Sequence, residues 1–160
     1  MQSLTDQEQS DVLAIVRSLK DKSGALLPIL HAVQERLGYI PAESVPIIAE
    51  ELNLTRAEVH GVITFYHDFR SRPGGRHILK ICQAESCQAM GSASLTSYVK
   101  VLLGIDFHET TPDQTVTLEP VYCLGNCGCG PSVLVDKDDL HADVTPQSFD
   151  MLVARARTAS

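Results

Sequence analysis

Two cysteine-bearing segments organise this sequence: Cys82-Gln-Ala-Glu-Ser-Cys87 and, further along the chain, Cys123-Leu-Gly-Asn-Cys127-Gly-Cys129-Gly-Pro131. The residues before each segment are rich in apolar and β-branched side chains, which predicts a strand over residues 77–82 and another over residues 115–122. A strand end is a rigid point from which a loop can hold its thiolates around one centre. Two such loops on neighbouring strands would close a site of four sulfurs.

The spacing of the cysteines bears on which metal such a site would hold. Soft thiolates suit an iron-sulfur cluster or zinc. Structural zinc commonly uses C-x2-C knuckles, although wider spacings occur, whereas C-x4-C with C-x3-C better suits a cluster whose ligands are divided between two irons. Iron-sulfur is therefore favoured, and a zinc-stapled interaction module without redox function stays open. A dithiol redox pair also stays open, although such chemistry favours C-x-x-C.

Glycines surround the last cysteines of the second segment, at Gly125, Gly128 and Gly130. Glycine lets a backbone approach bridging sulfides closely or turn through positive φ without strain. Amides aimed at sulfur would raise the reduction potential of a cluster. An ordinary glycine-rich turn has the same composition, but the position of these glycines among three cysteines favours a site. We expect the fifth cysteine, Cys129, to be a buried small side chain near the cluster rather than a ligand.

From Thr5 to about Arg70 the apolar residues recur at helical spacing, which predicts four helices. Pro46 can be accommodated in the first turn of the third helix. The segment Thr64-Phe65-Tyr66 is interpreted as a core element of the fourth helix, which would also carry His60 and His67. A capping box, in which a hydroxyl and a carboxylate satisfy free amides at a helix start, fits two pairs of residues: Thr5 with Glu8, and Thr55 with Glu58.

The segment Ser71-Arg-Pro-Gly-Gly75 favours a turn and separates the helical region from a region of mixed character. We therefore expect an N-terminal helical bundle over residues 1–73 and a domain of the α/β (α+β) class over residues 74–160. Hydrophobic patterns in the second domain predict the order β-α-β-β-α. Its closing helix is expected to bury Phe149 and Leu152.

Composition excludes several classes of function. The 160 residues include 20 acidic and 13 basic residues, which gives a net charge of -7. Without a run of basic residues, the sequence predicts no basic surface that could bind the phosphates of a nucleic acid. No apolar stretch is long enough to cross a bilayer, and the N-terminus lacks the features of a secretory signal. We therefore expect a cytosolic protein. Five cysteines in that reducing compartment suit metal ligands better than disulfides.

At these residues the sequence strongly resembles the thioredoxin-like 2Fe-2S ferredoxins that serve as the small, flavin-adjacent subunits of NAD-linked oxidoreductases. The resemblance implies a thioredoxin-like domain preceded by a helical bundle, and one 2Fe-2S cluster. It assigns Cys82 and Cys87 to one iron, and Cys123 and Cys127 to the other. The matching segments are Gly61-Val-Ile-Thr-Phe-Tyr66, Ile81-Cys-Gln-Ala-Glu-Ser-Cys-Gln-Ala-Met-Gly91, Val121-Tyr-Cys-Leu-Gly-Asn-Cys-Gly-Cys-Gly-Pro131 and His141 to Thr145.

The resemblance also implies a role as an electron-transfer subunit. A 2Fe-2S cluster carries one electron whereas NAD takes a hydride, so FMN and NAD are expected in a flavin-binding partner subunit. The sequence has no dinucleotide-binding fingerprint, P-loop or nucleophile elbow, so we expect no complete active site in this chain. The amphipathic helices are the expected docking element for that partner.

Within the family, residues 82–91 and the Cys127-Gly-Cys129-Gly-Pro131 ending look most like the gamma subunit of NAD-dependent, molybdenum-containing formate dehydrogenase. That resemblance implies a molybdenum cofactor in a large catalytic subunit of the same complex. The equivalent subunit of complex I (NADH:quinone oxidoreductase) or of an NAD-reducing hydrogenase is the alternative.

Overall fold

The structure is a computed structural model that describes residues 4–158. The chain divides into two compact units at the boundary between Pro73 and Gly74. Each unit has a hydrophobic core of its own. None of the helices within the described residues has the length and apolar character that a bilayer crossing requires.

Between residues 4 and 73 the first unit has four helices, which confirms the number expected from the hydrophobic pattern. Its core is built from apolar side chains contributed by all four helices, among them Val12, Ile29, Ile48 and Val59, which are fully buried. The helices are α1 (Asp6–Leu19), α2 (Leu26–Leu37), α3 (Ser44–Leu52) and α4 (Arg56–Phe65).

Both predicted capping boxes are present. At the start of α1 the Glu8 amide donates to the Thr5 hydroxyl, and the Thr5 amide donates to the Glu8 carboxylate. Thr55 and Glu58 make the same pair of bonds at the start of α4. Pro46 lies in the first turn of α3, where helix amides have no partner within the helix. Local sequence chemistry therefore sets the starts of α1 and α4 and is compatible with the start of α3.

The end of α4 differs from the prediction. The helix ends at Phe65, and Tyr66 has extended backbone angles, so His67 does not share the helix with His60. Phe65 is 74% exposed and Tyr66 is 42% exposed, so the interpretation of this segment as a core element was wrong. The change of backbone direction after Phe65 turns the chain so that Phe69, which is buried, supplies the aromatic ring of the core.

The second unit contains a five-stranded sheet in the order β2-β3-β1-β4-β5. Strands β1 and β3 are parallel, and every other neighbouring pair is antiparallel. The strands are β1 (His77–Cys82), β2 (Glu109–Thr110), β3 (Val116–Val121), β4 (Val133–Val135) and β5 (Asp139–His141); the helices are α5 (Glu85–Ala89), α6 (Ser92–Leu103) and α7 (Pro146–Thr158).

The predicted order β-α-β-β-α corresponds to β1, α6, β3, β4 and α7. The prediction missed β2, β5 and α5, which have two, three and five residues and lack the run of apolar side chains that marks the equally short β4. The core lies where the apolar side chains of the sheet meet those of α6 and α7, and Phe149 at its centre is fully buried. This core gives β1 and β3 a rigid setting, and both cysteine segments follow these strands.

Candidate metal centre

The sheet brings the two cysteine segments together. Strand β1 ends at Cys82, which lies opposite Val121 at the end of the parallel strand β3. The amide of Gln83 donates to the Val121 carbonyl at 2.7 Å. Cys123 therefore follows directly beyond the same edge of the sheet. The expectation that the two loops leave neighbouring strands is confirmed.

The first pair of cysteines is buried. Cys82 closes β1 and Cys87 lies in α5, and each is only 2% exposed. Burial raises the pKa of the Cys82 thiol, and the neighbouring Cys87 raises it further, while the amides of Ala84 and Leu124 act in the opposite direction because they point at its sulfur. The Cys82 thiol is therefore protonated at neutral pH in the absence of a metal.

The second pair is exposed and lies on a loop. The sulfurs of Cys123 and Cys127 are 3.6 Å apart. The Gly125 amide donates to Cys123 Sγ at 3.3 Å and lowers the pKa of that thiol. The pKa of Cys127 is raised, chiefly by the adjacent Cys123. Cys123 is therefore the first thiol of this pair to ionise.

The two pairs lie close to each other at the ends of β1 and β3. Ser86, which precedes Cys87, donates to the Cys127 carbonyl at 2.7 Å, and the amide of Leu124, which follows Cys123, points at the Cys82 sulfur. Cys87 and Cys82 also contribute to the raised pKa of Cys127. Among residues 4–158 no group of three or more histidine, cysteine or acidic side chains is arranged around a position for one metal ion. In a two-iron cluster held by four cysteines each iron has two thiolate ligands, and two separate pairs of soft thiolates match that donor set.

Two of the three glycines in the second segment have a clear structural reason. Gly125 has a φ of 76°, which an L-residue with a side chain rarely adopts. Gly130 lies against the first pair, since a Cβ at this position would be 3.1 Å from Cys87 Sγ. Gly128 meets neither condition, because a Cβ there has open space. The backbone of Cys123 also has a positive φ, 128°, so strain accompanies the placement of this sulfur.

Cys129 is exposed, so the expectation that it would be buried was wrong. Its backbone, rather than its side chain, bonds to the rest of the protein. The Cys129 amide donates to the Asn126 carbonyl at 3.2 Å, and its carbonyl accepts from the Asp143 amide at 2.9 Å. These bonds hold the turn while the thiol remains in solvent.

Sequence reasoning missed the polar side chains that hold the loops. The buried Ser92 donates to the Cys82 carbonyl at 2.5 Å. Ser86 donates to the Cys127 carbonyl at 2.7 Å and thus connects the two segments. In the sequence, Ser86 shows only as a hydroxyl between the candidate ligands Cys82 and Cys87. Its bonding partner on the second cysteine segment cannot be read from that position.

Comparison with known proteins identifies the family. Residues 12–157 match the thioredoxin-like 2Fe-2S ferredoxin family. A subunit of the NADH-quinone oxidoreductase of Pseudomonas aeruginosa is 35% identical over 150 residues, which cover 94% of this chain and 90% of that protein. The HndA subunit of the NADP-reducing hydrogenase of Solidesulfovibrio fructosivorans is 30% identical over 144 residues, which cover 90% and 84%.

A solved structure has the same fold. The crystal structure of an NAD+-reducing NiFe-hydrogenase in the H2-reduced state matches 82% of this chain with a TM-score of 0.68 at 18% identity. The match spans 22% of that hydrogenase chain, and at this identity it shows the fold alone. The order of strands, the two cysteine pairs at the ends of β1 and β3, and the match over residues 12–157 lead to one conclusion: the chain belongs to the thioredoxin-like 2Fe-2S ferredoxin family, whose cofactor is one 2Fe-2S cluster.

Proposed function

We propose that Cys82, Cys87, Cys123 and Cys127 hold one 2Fe-2S cluster, and that the chain carries single electrons within an NAD-linked oxidoreductase complex. The observation that supports this proposal is the location of the two cysteine pairs at the ends of the adjacent parallel strands β1 and β3, where Ser86 of one segment bonds to Cys127 of the other. Cys82 and Cys87 would hold one iron, and Cys123 and Cys127 the other. The cluster supplies a one-electron change between two oxidation levels.

The residues around the sulfurs define what the protein adds to that chemistry. The buried position of Cys82 and Cys87 excludes water from one side of the site. The exposed position of Cys123 and Cys127 brings the other side to the surface, where an electron partner can approach. The Gly125 amide donates to Cys123 Sγ, and such bonds stabilise added negative charge and therefore raise the reduction potential.

The partner subunit follows from the electron count. A one-electron carrier exchanges electrons with a hydride carrier only through a group that can do both, and a flavin is such a group. We therefore propose a partner subunit that binds FMN and NAD. The two named relatives belong to an NADH-quinone oxidoreductase and to an NADP-reducing hydrogenase. They favour a parent complex of one of these kinds over formate dehydrogenase.

The formate dehydrogenase proposal rests on the likeness of the two cysteine segments alone. It requires a large catalytic subunit with a molybdenum cofactor in the same complex. The parent complexes are separated by tagging the chain, purifying its native complex and offering NADH, hydrogen or formate as the reductant. Cluster reduction by formate would support formate dehydrogenase, and reduction by hydrogen would support a hydrogenase. Reduction by NADH, but by neither formate nor hydrogen, would support a complex of the NADH-quinone oxidoreductase kind.

The cluster itself is tested on the purified chain. Anaerobically handled protein should contain about two irons and two inorganic sulfides per chain, absorb in the visible range and give an electron paramagnetic resonance (EPR) signal on reduction. A colourless protein with one zinc per chain would support the interaction-module alternative. Absence of both metals would refute both proposals.

We propose that the helical bundle, residues 1–73, docks the chain to the flavin-binding subunit. Phe65 and Tyr66 expose aromatic surface at the end of α4, and exposed aromatic side chains are typical of protein interfaces. In the native complex Phe65→Ser should reduce co-purification of the flavin subunit. Val101→Ser, at an 84% exposed position of the second unit, is the matched control. Equal recovery in both variants would contradict docking through this surface.

We also propose a cytosolic location. None of the five cysteines is paired in a disulfide, and cysteines that bind metal persist in the reducing cytosol. Cell fractionation should recover the chain with cytosolic markers. Recovery in an oxidising compartment would contradict the proposal.

A further inference from the structure

A hydroxyl connects the two cysteine segments beyond the edge of the sheet. Ser86 Oγ donates to the Cys127 carbonyl at 2.7 Å, which is a normal length for an O–H···O bond. Ser86 directly precedes Cys87 in α5. The bond therefore connects the residue next to Cys87, in the buried pair, to the backbone of Cys127, in the exposed pair.

The two pairs need this connection to different degrees. Cys82 is held by regular structure, because its amide donates to the Ser132 carbonyl at 3.0 Å and its own carbonyl accepts from the buried Ser92. Cys127 is exposed and belongs to no helix or strand. Loop residues without such supports move more than residues in a sheet. The bond from Ser86 gives the Cys127 backbone an anchor on the first segment.

We propose that Ser86 is a positioning residue for the 2Fe-2S cluster. This proposal rests on the proposed function, in which the four cysteines hold the cluster. By fixing the peptide of Cys127, Ser86 holds one ligand of the exposed iron in place relative to the buried pair. Its hydroxyl also offsets the partial negative charge of the Cys127 carbonyl. Removal of the hydroxyl should therefore loosen the exposed ligand and lower the reduction potential.

Three variants of the full-length, cluster-loaded chain test this role. Ser86→Ala removes the hydroxyl and Ser86→Thr retains it. Ser97→Ala is the matched control, because Ser97 makes a similar bond to the Ala93 carbonyl within α6 at 3.0 Å. Each loaded protein is exposed to an iron chelator under anaerobic conditions. The rate of cluster loss, the reduction potential and the EPR spectrum are measured, together with the unfolding midpoint of the cluster-free chain.

We expect Ser86→Ala to lose its cluster roughly two- to tenfold faster than the unchanged chain, which is the effect of one hydrogen bond of ordinary strength. Its potential should be lower and its EPR spectrum altered, and the unfolding midpoint of its cluster-free chain should fall no further than that of Ser97→Ala, which loses a similar bond. Ser86→Thr and Ser97→Ala should lose the cluster at the rate of the unchanged chain and keep its potential and EPR spectrum.

Three results would overturn the role of Ser86. One is an unchanged rate and potential in Ser86→Ala. Another is a Ser86→Thr variant that behaves like Ser86→Ala. The third is a lower unfolding midpoint in Ser86→Ala with an unchanged potential and spectrum, which would indicate a purely structural role. If Ser86→Ala takes up no cluster, Ser86→Thr decides: normal loading supports the role, and failed loading refutes it. Failure of the proposed function is distinct, since the unchanged chain would then contain no iron or sulfide.

Discussion

The two cysteine pairs of the site differ in burial and in support. Cys82 and Cys87 lie on a strand and a helix and are 2% exposed, whereas Cys123 and Cys127 lie on an exposed loop. Packing in the core holds the first pair. Individual hydrogen bonds, from Gly125 and Ser86, hold the second pair. One half of the site is therefore held more firmly than the other.

The difference extends to the chemistry of the thiols. Burial raises the pKa of Cys82, whereas the Gly125 amide lowers the pKa of Cys123. As the pH rises, Cys123 becomes a thiolate first and Cys82 follows later. The exposed pair therefore offers the first nucleophile and metal ligand of the cluster-free chain.

The largest expected effect comes from replacing a ligand in the buried pair. Cys87→Ser should reduce visible absorption and iron content almost to baseline. A metal–oxygen bond is shorter than a metal–sulfur bond, and a buried side chain packed against Gly130 cannot move to shorten it. Cys127→Ser should keep a larger fraction of the iron, because its exposed loop can adjust. An unchanged spectrum for Cys87→Ser would contradict the ligand assignment, and equal losses would remove the proposed difference between the pairs.

Substitution of glycine tests the tight contact between the segments. A Cβ at Gly130 would lie 3.1 Å from Cys87 Sγ, so Gly130→Ala should crowd the buried pair and destabilise the chain by roughly 1–3 kcal/mol. Gly128→Ala is the matched control, since a Cβ there meets no atom within 4 Å. Iron content and chemical unfolding of both variants measure the effect. Equal behaviour would show that the contact is not tight in solution.

Alkylation of the cluster-free chain compares the thiols directly. Cys123 should react with iodoacetamide roughly tenfold faster than Cys82 at neutral pH, because it is exposed and its pKa is lowered while that of Cys82 is raised. The rate at Cys123 should reach half its maximum at a lower pH than the rate at Cys82. Mass spectrometry of the labelled peptides gives both profiles. Faster labelling of Cys82 would reverse the comparison.

The smallest effect is expected at Cys129. Because its thiol is exposed and its backbone holds the turn, Cys129→Ala should retain the cluster spectrum and iron content. A loss of visible absorption in this variant would show that Cys129, rather than a member of the exposed pair, is a ligand.

Features that depend on neighbouring residues were predictable from the sequence. The capping boxes at Thr5 and Thr55 involve side chains and amides three residues apart, so their residues alone specify the helix starts. The same holds for the longer strands and helices, whose apolar residues repeat at a regular period. The spacings C-x4-C and C-x3-C are also local, and each identified a pair of candidate ligands.

Features that depend on residues far apart in the chain were decided only by the tertiary structure. The longer helices, the two strands that precede the cysteines, and the choice of soft ligands followed from the sequence. Only packing decided that Phe65 is exposed while Phe69 is buried, that Cys87 is enclosed while Cys129 is not, and that Ser86 meets the Cys127 carbonyl. Burial and long-range hydrogen bonds depend on how segments that are distant in the sequence pack together. A local sequence pattern carries no information about that packing.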